Sequence, residues 1–304
     1  MFGDPLYKIP VKAYSPEKQT WSSRYKSART PVHSLRVVTW NVDFMAPGAA
    51  PRMECILEHL RRRTLTEKPQ PSCILLQELN KDSFATLLSD PWVREHYAIT
   101  PSDPKYWPRG SSYGVATLVS RHARILSSSM LTYTGSCMGR GALFVDVEMC
   151  IPGGDGHRGV LRIANTHLES LPEGQRQRSV QLSAIARVLR APGITAGLVG
   201  GDMNIISPAD EPIGSIAGLA DACRDTSPKA FTWGHQPPTQ YPPGRLDRVY
   251  TLPGTLDTGR VKVIGKGLKT GRGAWASDHR GLAVLVTLRA YDESSCDECR
   301  HVGQ

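Results

Sequence analysis

The sequence has no run of about twenty apolar residues, the length a helix needs to cross a bilayer, so no membrane span is expected. Its opening residues, MFGDPLYKIPVKAYSPEK, lack the apolar core of a secretory signal, which argues against secretion by that route. A disulfide framework is missing too. The seven cysteines are odd in number, and Cys55, Cys73, Cys150 and Cys223 lie in apolar or helical contexts, as reduced intracellular thiols do. Cys296 and Cys299, a lone CxxC, lack the second ligand pair of a zinc site. No repeat of 20 to 50 residues is present, which excludes a solenoid, and no linker is long enough to separate one domain from another. The chain therefore reads as an irregular basic leader over residues 1–33, one domain over 34–290, and a flexible tail over 291–304.

What is present is a basic, apolar-patterned chain of 304 residues. Its 37 Lys and Arg against 28 Asp and Glu give a net charge of +9, which suits a polyanionic partner because each cation placed over a phosphate releases condensed counterions. LRVVTWNV (35–42) and CILLQEL (73–79) read as buried strands, with a helix between them carrying Met53, Ile56, Leu57 and Leu60 at helical spacing. An amphipathic stretch follows from Asp82 to Leu88. Strands are then expected at 113–120, 124–133, 142–149 and 161–168, with Phe144 to Met149 alternating as though one face were wet. Residues 175–190 read as a helix with Leu182, Ile185, Ala186 and Leu189 on one side. AGLVGGDM (196–203), FTW (231–233), RLDRVYTL (245–252), GRVKVIG (259–265) and GLAVLVTLR (281–289) complete the strand set. Strands early and late with helices between them predict an α/β (α+β) fold of two face-to-face sheets with helices outside.

The polar residues that end these apolar strands carry the chemistry. Asn41 follows VVTW, Glu78 follows ILLQ, His167 follows IANT, and Asp202 and Asn204 follow LVGG. Asp247 lies in RLDRVY, and Asp278 and His279 precede GLAVLV. A desolvated polar group costs free energy unless it has a partner, so strand ends converging on one rim would satisfy one another and also make a site. Oxygen donors without cysteine or clustered histidines favour Mg²⁺, with Mn²⁺ able to substitute. A histidine beside carboxylates can stabilise charge on a phosphoryl oxygen, and an Asp–Asn pair can orient water. The set predicts metal-assisted hydrolysis of a phosphate ester.

TWNVD, LQE, THLES, GGDMN, RLDRV and SDH, in this order across residues 35–289, resemble the endonuclease/exonuclease/phosphatase superfamily. That resemblance implies a four-layer αββα sandwich of two packed, mostly antiparallel mixed sheets, a bound Mg²⁺ and in-line attack on phosphorus. THLES followed by QRSVQL, FTW before RLDRV, and SDHRGL are similar to the 5′-tyrosyl-DNA phosphodiesterase branch. The loop HQPPTQYPPG departs from the branch in being proline-rich. By this resemblance Glu78 binds the metal with Asn41 beside it, Asp202 positions and deprotonates water, and Asn204 fixes the phosphate. His167 faces the scissile phosphate, and His279 stabilises developing charge or protonates the leaving group. Asp247 or Asp278 orients the His279 ring, and the other completes the metal shell. Glu169 is read as structural.

The resemblance also implies that Arg140 contacts substrate phosphate. Ser170 contacts the DNA backbone or caps the helix, and Tyr113, Trp233 and Arg178 line a single-strand channel or belong to the core. The expected partner is DNA with a single-stranded 5′ end bearing tyrosine or a peptide, in the nucleus. The alternatives are another phosphoesterase on the same scaffold (nuclease or small-molecule phosphatase) and a silent binding module.

Overall fold

The computed structural model describes residues 4–290 apart from 26, 29, 65–70, 109, 154 and 155. The tail 291–304, with Cys296 and Cys299, lies outside the described residues. Among the described residues the strands form two sheets, one of seven strands and one of nine.

The first sheet runs, edge to edge, Leu6–Lys8, Arg124–Thr132, Gly141–Cys150, Arg158–His167, Ala196–Asp202, Asp247–Thr251 and Ala220–Asp221. The second runs Leu256–Thr258, Gly281–Leu288, Leu35–Asn41, Ser72–Asn80, Tyr113–Ser120, Tyr97–Thr100, Lys12–Ser15 and Thr20–Ser22, with Lys262–Ile264 also on Gly281–Leu288. Each sheet is mixed: its one parallel pair, Arg158–His167 with Ala196–Asp202 and Leu35–Asn41 with Ser72–Asn80, sits near the middle.

The burial pattern explains the layers. Along Leu35–Asn41, Val37 packs between the sheets with Leu75, Val145, Ile163, Leu198 and Val284, whereas Val38 and Trp40 face outward. Those outward residues are covered by the helices Ala49–His59 and Lys81–Ser89 through Met53, Ile56, Leu57, Phe84 and Leu87. On the opposite outer face the helix Gln175–Leu189 lays Leu182, Ile185, Ala186 and Leu189 over Phe144, Ala164, Val199 and Tyr250. A strand covered on both faces needs apolar side chains at most positions, which is why these segments read as nearly continuous runs. Helix, sheet, sheet, helix is the four-layer sandwich expected.

Two local expectations are corrected. The leader is not irregular throughout: Leu6–Lys8 pairs with Arg124–Thr132 in one sheet, and Lys12–Ser15 pairs with Tyr97–Thr100 in the other. Strands of three and four residues are too short to show a period, and edge pairing fixes them instead. The alternating face of Gly141–Cys150 is not wet either. Asp146 is buried under Arg162, which donates to it at 2.7 and 2.8 Å while also bonding the Val188 carbonyl of the covering helix.

Candidate active site

In the first sheet, register places His167 opposite Asp202 and Asp202 opposite Asp247, so three polar residues form one row across three adjacent strands. Two glycines make that row possible. A Cβ on Gly201 would stand 1.8 Å from the Thr166 carbonyl oxygen, and one on Gly200 would meet Leu75 of the facing sheet at 2.8 Å. The GGD sequence is thus required by close backbone approach on one residue and close sheet packing on the next.

The second sheet contributes Asn41 and Glu78 from its strands, with His279 just ahead of Gly281–Leu288. Between Leu76↔Ala116 and Leu79↔Gly114 the pairing slips, so Gln77 and Glu78 together oppose Val115 alone. Glu78 adopts φ +60°, a left-handed conformation costly for a non-glycine residue. The bulge turns its side chain toward the rim. Beneath it, Gln77 Nε2 donates to Asn165 Oδ1 across the sheets at 2.8 Å, and Asn165 Nδ2 donates to the Leu76 carbonyl at 3.2 Å and the Ala116 carbonyl at 2.9 Å. This buried amide latch satisfies the backbone groups that the bulge frees.

Three further bonds hold the rim together. Asn41 Nδ2 donates to Asp202 Oδ2 at 3.0 Å, His279 Nδ1 bonds Asp247 Oδ2 at 2.7 Å, and Ser277 Oγ donates to the Asn41 carbonyl at 2.6 Å. Asp202 Oδ1 accepts the Asn204 backbone N–H at 2.9 Å, while Asn204, itself at φ +50°, donates its amide to the Leu168 carbonyl. Asp202 Oδ2 lies 3.4 Å from His167 Nε2 and 3.7 Å from His279 Nε2.

The two imidazoles are pushed in opposite directions. Burial pushes His167 well below the usual imidazole range, and the Arg140 and His279 cations push further. Its Nδ1 accepts from Arg140 at 2.7 Å, leaving the proton on Nε2. Burial would lower His279 as well, but the carboxylates of Asp247, Asp278 and Asp202 outweigh it and hold that ring well above its ordinary value. Burial also raises Glu78 and Asp202 above the ordinary carboxylate range.

Asp247, and not Asp278, therefore orients His279; Asp278 Oδ1 stands 4.0 Å from Nε2. Asp278 instead accepts the Trp233 indole N–H at 3.0 Å and belongs to neither cluster of ligand atoms among the described residues. Trp233 is placed by that bond, half-buried at the rim, with Tyr241 at 6.5 Å between centroids. Tyr113 stacks on Phe44 at 3.9 Å, with the Arg140 guanidinium 5.2 Å above its ring. Tyr113 and Arg140 line a cleft with Glu78, His167, Pro108 and Met130. Ser170 makes no helix cap; its hydroxyl accepts from Arg140 at 2.9 Å.

Arg178 is a correction. It is fully buried and clamps Asp210 at 2.8 and 3.0 Å as well as the Glu169 and Leu171 carbonyls, so it cannot reach substrate. In the sequence it sits on the helix turn that meets THLES, which resembles a site-facing position, yet its partner Asp210 is 32 residues away and carries no local signal. Asp43 and Arg52 escape the sequence reading as well. Arg52 donates to Asp43 at 3.0 Å and to the Val42 carbonyl, bracing the loop whose Phe44 N–H binds Glu78 Oε2 at 3.0 Å. The TWNVD motif holds the clue in its last residue.

Two groups of ligand atoms lie within 4.8 Å among the described residues: Glu78, His167 and Asp202, and Asp202, Asp247 and His279. Asp247 Oδ1 is buried without a hydrogen-bond partner. Two carboxylates raised by burial, with an orphaned carboxylate oxygen behind them, fit a hard divalent cation, which would offset their desolvation.

A sandwich that gathers carboxylate, carboxamide and paired imidazole at the mouth between its sheets defines a metal-assisted phosphoester hydrolase. The chain matches the model of the Endonuclease/Exonuclease/phosphatase family over residues 38–279, and it belongs to that family. Its members are hydrolases of phosphodiester bonds that generally use divalent metals. The fold is similar to truncated Caenorhabditis elegans TDP2 (TM-score 0.65, 21% identity, covering 84% of this chain and 97% of that one). It is similar as well to D. rerio TDP2 complexed with single-strand DNA product (TM-score 0.65, 20% identity, 84% and 99%). The human Nocturnin catalytic domain with bound sulfate matches at TM-score 0.57, 21% identity, 84% and 95%. No curated protein matches by sequence. Among the described residues no helix is long and apolar enough to cross a membrane.

Proposed function

We propose that the protein is an Mg²⁺-dependent phosphodiesterase acting in the nucleus. It hydrolyses the 5′-phosphotyrosyl bond between DNA and a protein or peptide, leaving a 5′-phosphate, and Mn²⁺ substitutes for Mg²⁺. The observation that carries phosphodiester chemistry is the convergence of His167 and His279 on Asp202, at 3.4 and 3.7 Å, beside Glu78 and Asn41 on one rim, with surroundings that push the two rings in opposite directions. Groups whose environments push their protonation apart divide the roles.

Glu78, with Asn41 beside it, would hold the divalent ion, which would supply positive charge to the phosphate. Asp202, fixed by Asn41 and the Asn204 N–H and made more basic by burial, takes the proton of the attacking water. The His279 imidazolium, locked by Asp247, neutralises charge as the phosphorane forms. His167 offers its Nε2–H to a phosphoryl oxygen and Arg140 sits behind it. A phenolate leaving group has an intrinsic pKa of about 10, far below a sugar alkoxide, so it leaves without a dedicated acid. Charge neutralisation is what this site provides most.

The likeness to TDP2 structures, one with a single-strand DNA product, and the Tyr113 ring in the cleft, stacked on Phe44, favour a nucleic-acid strand end bearing an aromatic group. The test sets a 5′-phosphotyrosyl oligonucleotide beside abasic duplex, RNA and inositol phosphates, each with and without EDTA. Preferred cleavage of the tyrosyl substrate, lost with EDTA, is expected. Glu78→Gln and Asp202→Asn should each lower turnover by roughly a hundredfold or more with the fold intact. Turnover of the other substrates alone would overturn the tyrosyl reading, and no turnover in the parent would leave a binding module.

A further inference from the structure

Glu169 touches neither the cleft nor the ligand clusters, yet it is buried to 3% exposure and four donors converge on its carboxylate. Oε1 accepts the backbone N–H groups of Cys137 at 2.9 Å and Met138 at 3.0 Å. Oε2 accepts the Ser136 hydroxyl at 2.7 Å and Gln181 Nε2 at 2.8 Å, and the Glu169 N–H returns to Gln181 Oε1 at 2.9 Å. One side chain thus ties the helix Gln175–Leu189 to the turn at 136–138.

That turn leads to Arg140. Ser136 gives its single hydroxyl hydrogen to Glu169, so its lone pairs are left for the Arg140 N–H at 2.8 Å and the Met138 N–H at 3.3 Å. The backbone beside Arg140 is fixed as well: Gly139 adopts φ +64°, and a Cβ on Gly141 would meet the Leu131 carbonyl at 2.7 Å. At its far end the Arg140 guanidinium divides between His167 Nδ1 at 2.7 Å and Ser170 Oγ at 2.9 Å. Ser170 follows Glu169 directly, so residue 170 holds the tip of Arg140 and residue 169 holds its root through Ser136. A carboxylate that merely folded a loop would need no such link to a second polar side chain.

We infer that Glu169 is a positioning residue: acting through Ser136, it aims Arg140 at His167 and at the phosphate of the substrate. The inference rests on the proposed phosphodiesterase reading only for the identity of that phosphate. Because Arg140 accounts for the tautomer of His167, displacing the arginine also alters the imidazole that ends the strand Arg158–His167, two residues before Glu169.

The experiment uses the full chain, metal-free in EDTA, with Arg140→Ala, Glu169→Gln, Ser136→Ala and the two double variants with Arg140→Ala. Thermal unfolding checks that each folds; Ser136→Ala keeps the carboxylate and serves if Glu169→Gln does not fold. Affinity for a 5′-phosphorylated single-stranded oligonucleotide is measured by fluorescence anisotropy, and the His167 ring nitrogens are followed by NMR without ligand. Loss of a charged hydrogen-bonding group predicts about tenfold to a hundredfold weaker binding for Arg140→Ala, and about fivefold for Ser136→Ala, where a neutral bond is lost. In the Arg140→Ala background neither second substitution should weaken binding further, and Ser136→Ala should move the His167 Nδ1 resonance in the direction that Arg140→Ala does. Equal losses in both backgrounds, or unchanged affinity with an unmoved resonance, would overturn the inference. If the parent binds no oligonucleotide without metal, the His167 resonance alone decides the role of Glu169, and the proposed function is judged separately by turnover of the tyrosyl substrate with Mg²⁺.

Discussion

Replacing Gly201 by alanine tests the claim that the polar row depends on backbone approach. The added methyl would lie 1.8 Å from the Thr166 oxygen, and this neighbour is main chain in the adjacent parallel strand, not the end of a side chain. Relief to ordinary contact requires about 1.5 Å of movement, shared between the strands that carry His167 and Asp202. Overpacking of this kind costs about 1–3 kcal/mol where side chains can yield; here the two strands must move apart, so the upper end, about 3 kcal/mol, is expected. Displacing reacting groups by about 1 Å costs roughly a hundredfold in rate. Gly200→Ala is the control: its methyl would press on Leu75 Cδ1, which can rotate away, and about 1 kcal/mol suffices. Urea unfolding of both variants gives stability from the shift in midpoint, and turnover of a chromogenic phosphodiester gives activity. If Gly201→Ala matches the parent in midpoint and rate, the strand contact does not govern the row and the account of the GGD motif is wrong.

Other perturbations read the same structure elsewhere. Arg178→Met should leave Asp210 buried without its bidentate partner and cost about 3–5 kcal/mol, seen as a lowered unfolding midpoint; a surface-like change below about 1 kcal/mol would contradict the buried clamp. Burial pushes the Tyr250 hydroxyl up to about 12 from 10.0, and the hydroxyl has no protein partner. A raised folded-state value means the contribution is fully present below pH 10 and is lost as pH climbs to about 12, a fall of about 3 kcal/mol. Tyr250→Phe should flatten part of that alkaline decline while leaving stability at about pH 8 unchanged, and an unaltered pH profile would refute it. Tyr97 and Tyr133, also raised by burial, keep the rest of the decline in place.

Much of this molecule could be read without coordinates, for identifiable reasons. Strands covered on both faces are mostly apolar, so Asn41, His167 or Asp202 at their ends stands out against the run. The helix face of Leu182, Ile185, Ala186 and Leu189 repeats at the period that packing demands. What escaped was set by contacts remote in sequence. The leader strands are three and four residues long and are held by edge partners far along the chain, Arg124–Thr132 and Tyr97–Thr100. Nothing in SDH or RLDRV says which aspartate meets the imidazole; the sheet register of Asp247 and the indole of Trp233 decide it. Asn165 and Gln77 look like ordinary strand residues because an amide latch has no local period.

The amide contact beneath the rim and the Asn41–Asp202 and Asp247–His279 bonds all bridge opposite halves of the sandwich. Neither half of the molecule owns the reaction centre. During folding, catalytic competence cannot build up gradually with secondary structure; it must arrive in one step, when the two slabs dock. Regain of turnover in a refolding experiment would therefore time that docking event, separately from the earlier gain of strand signal.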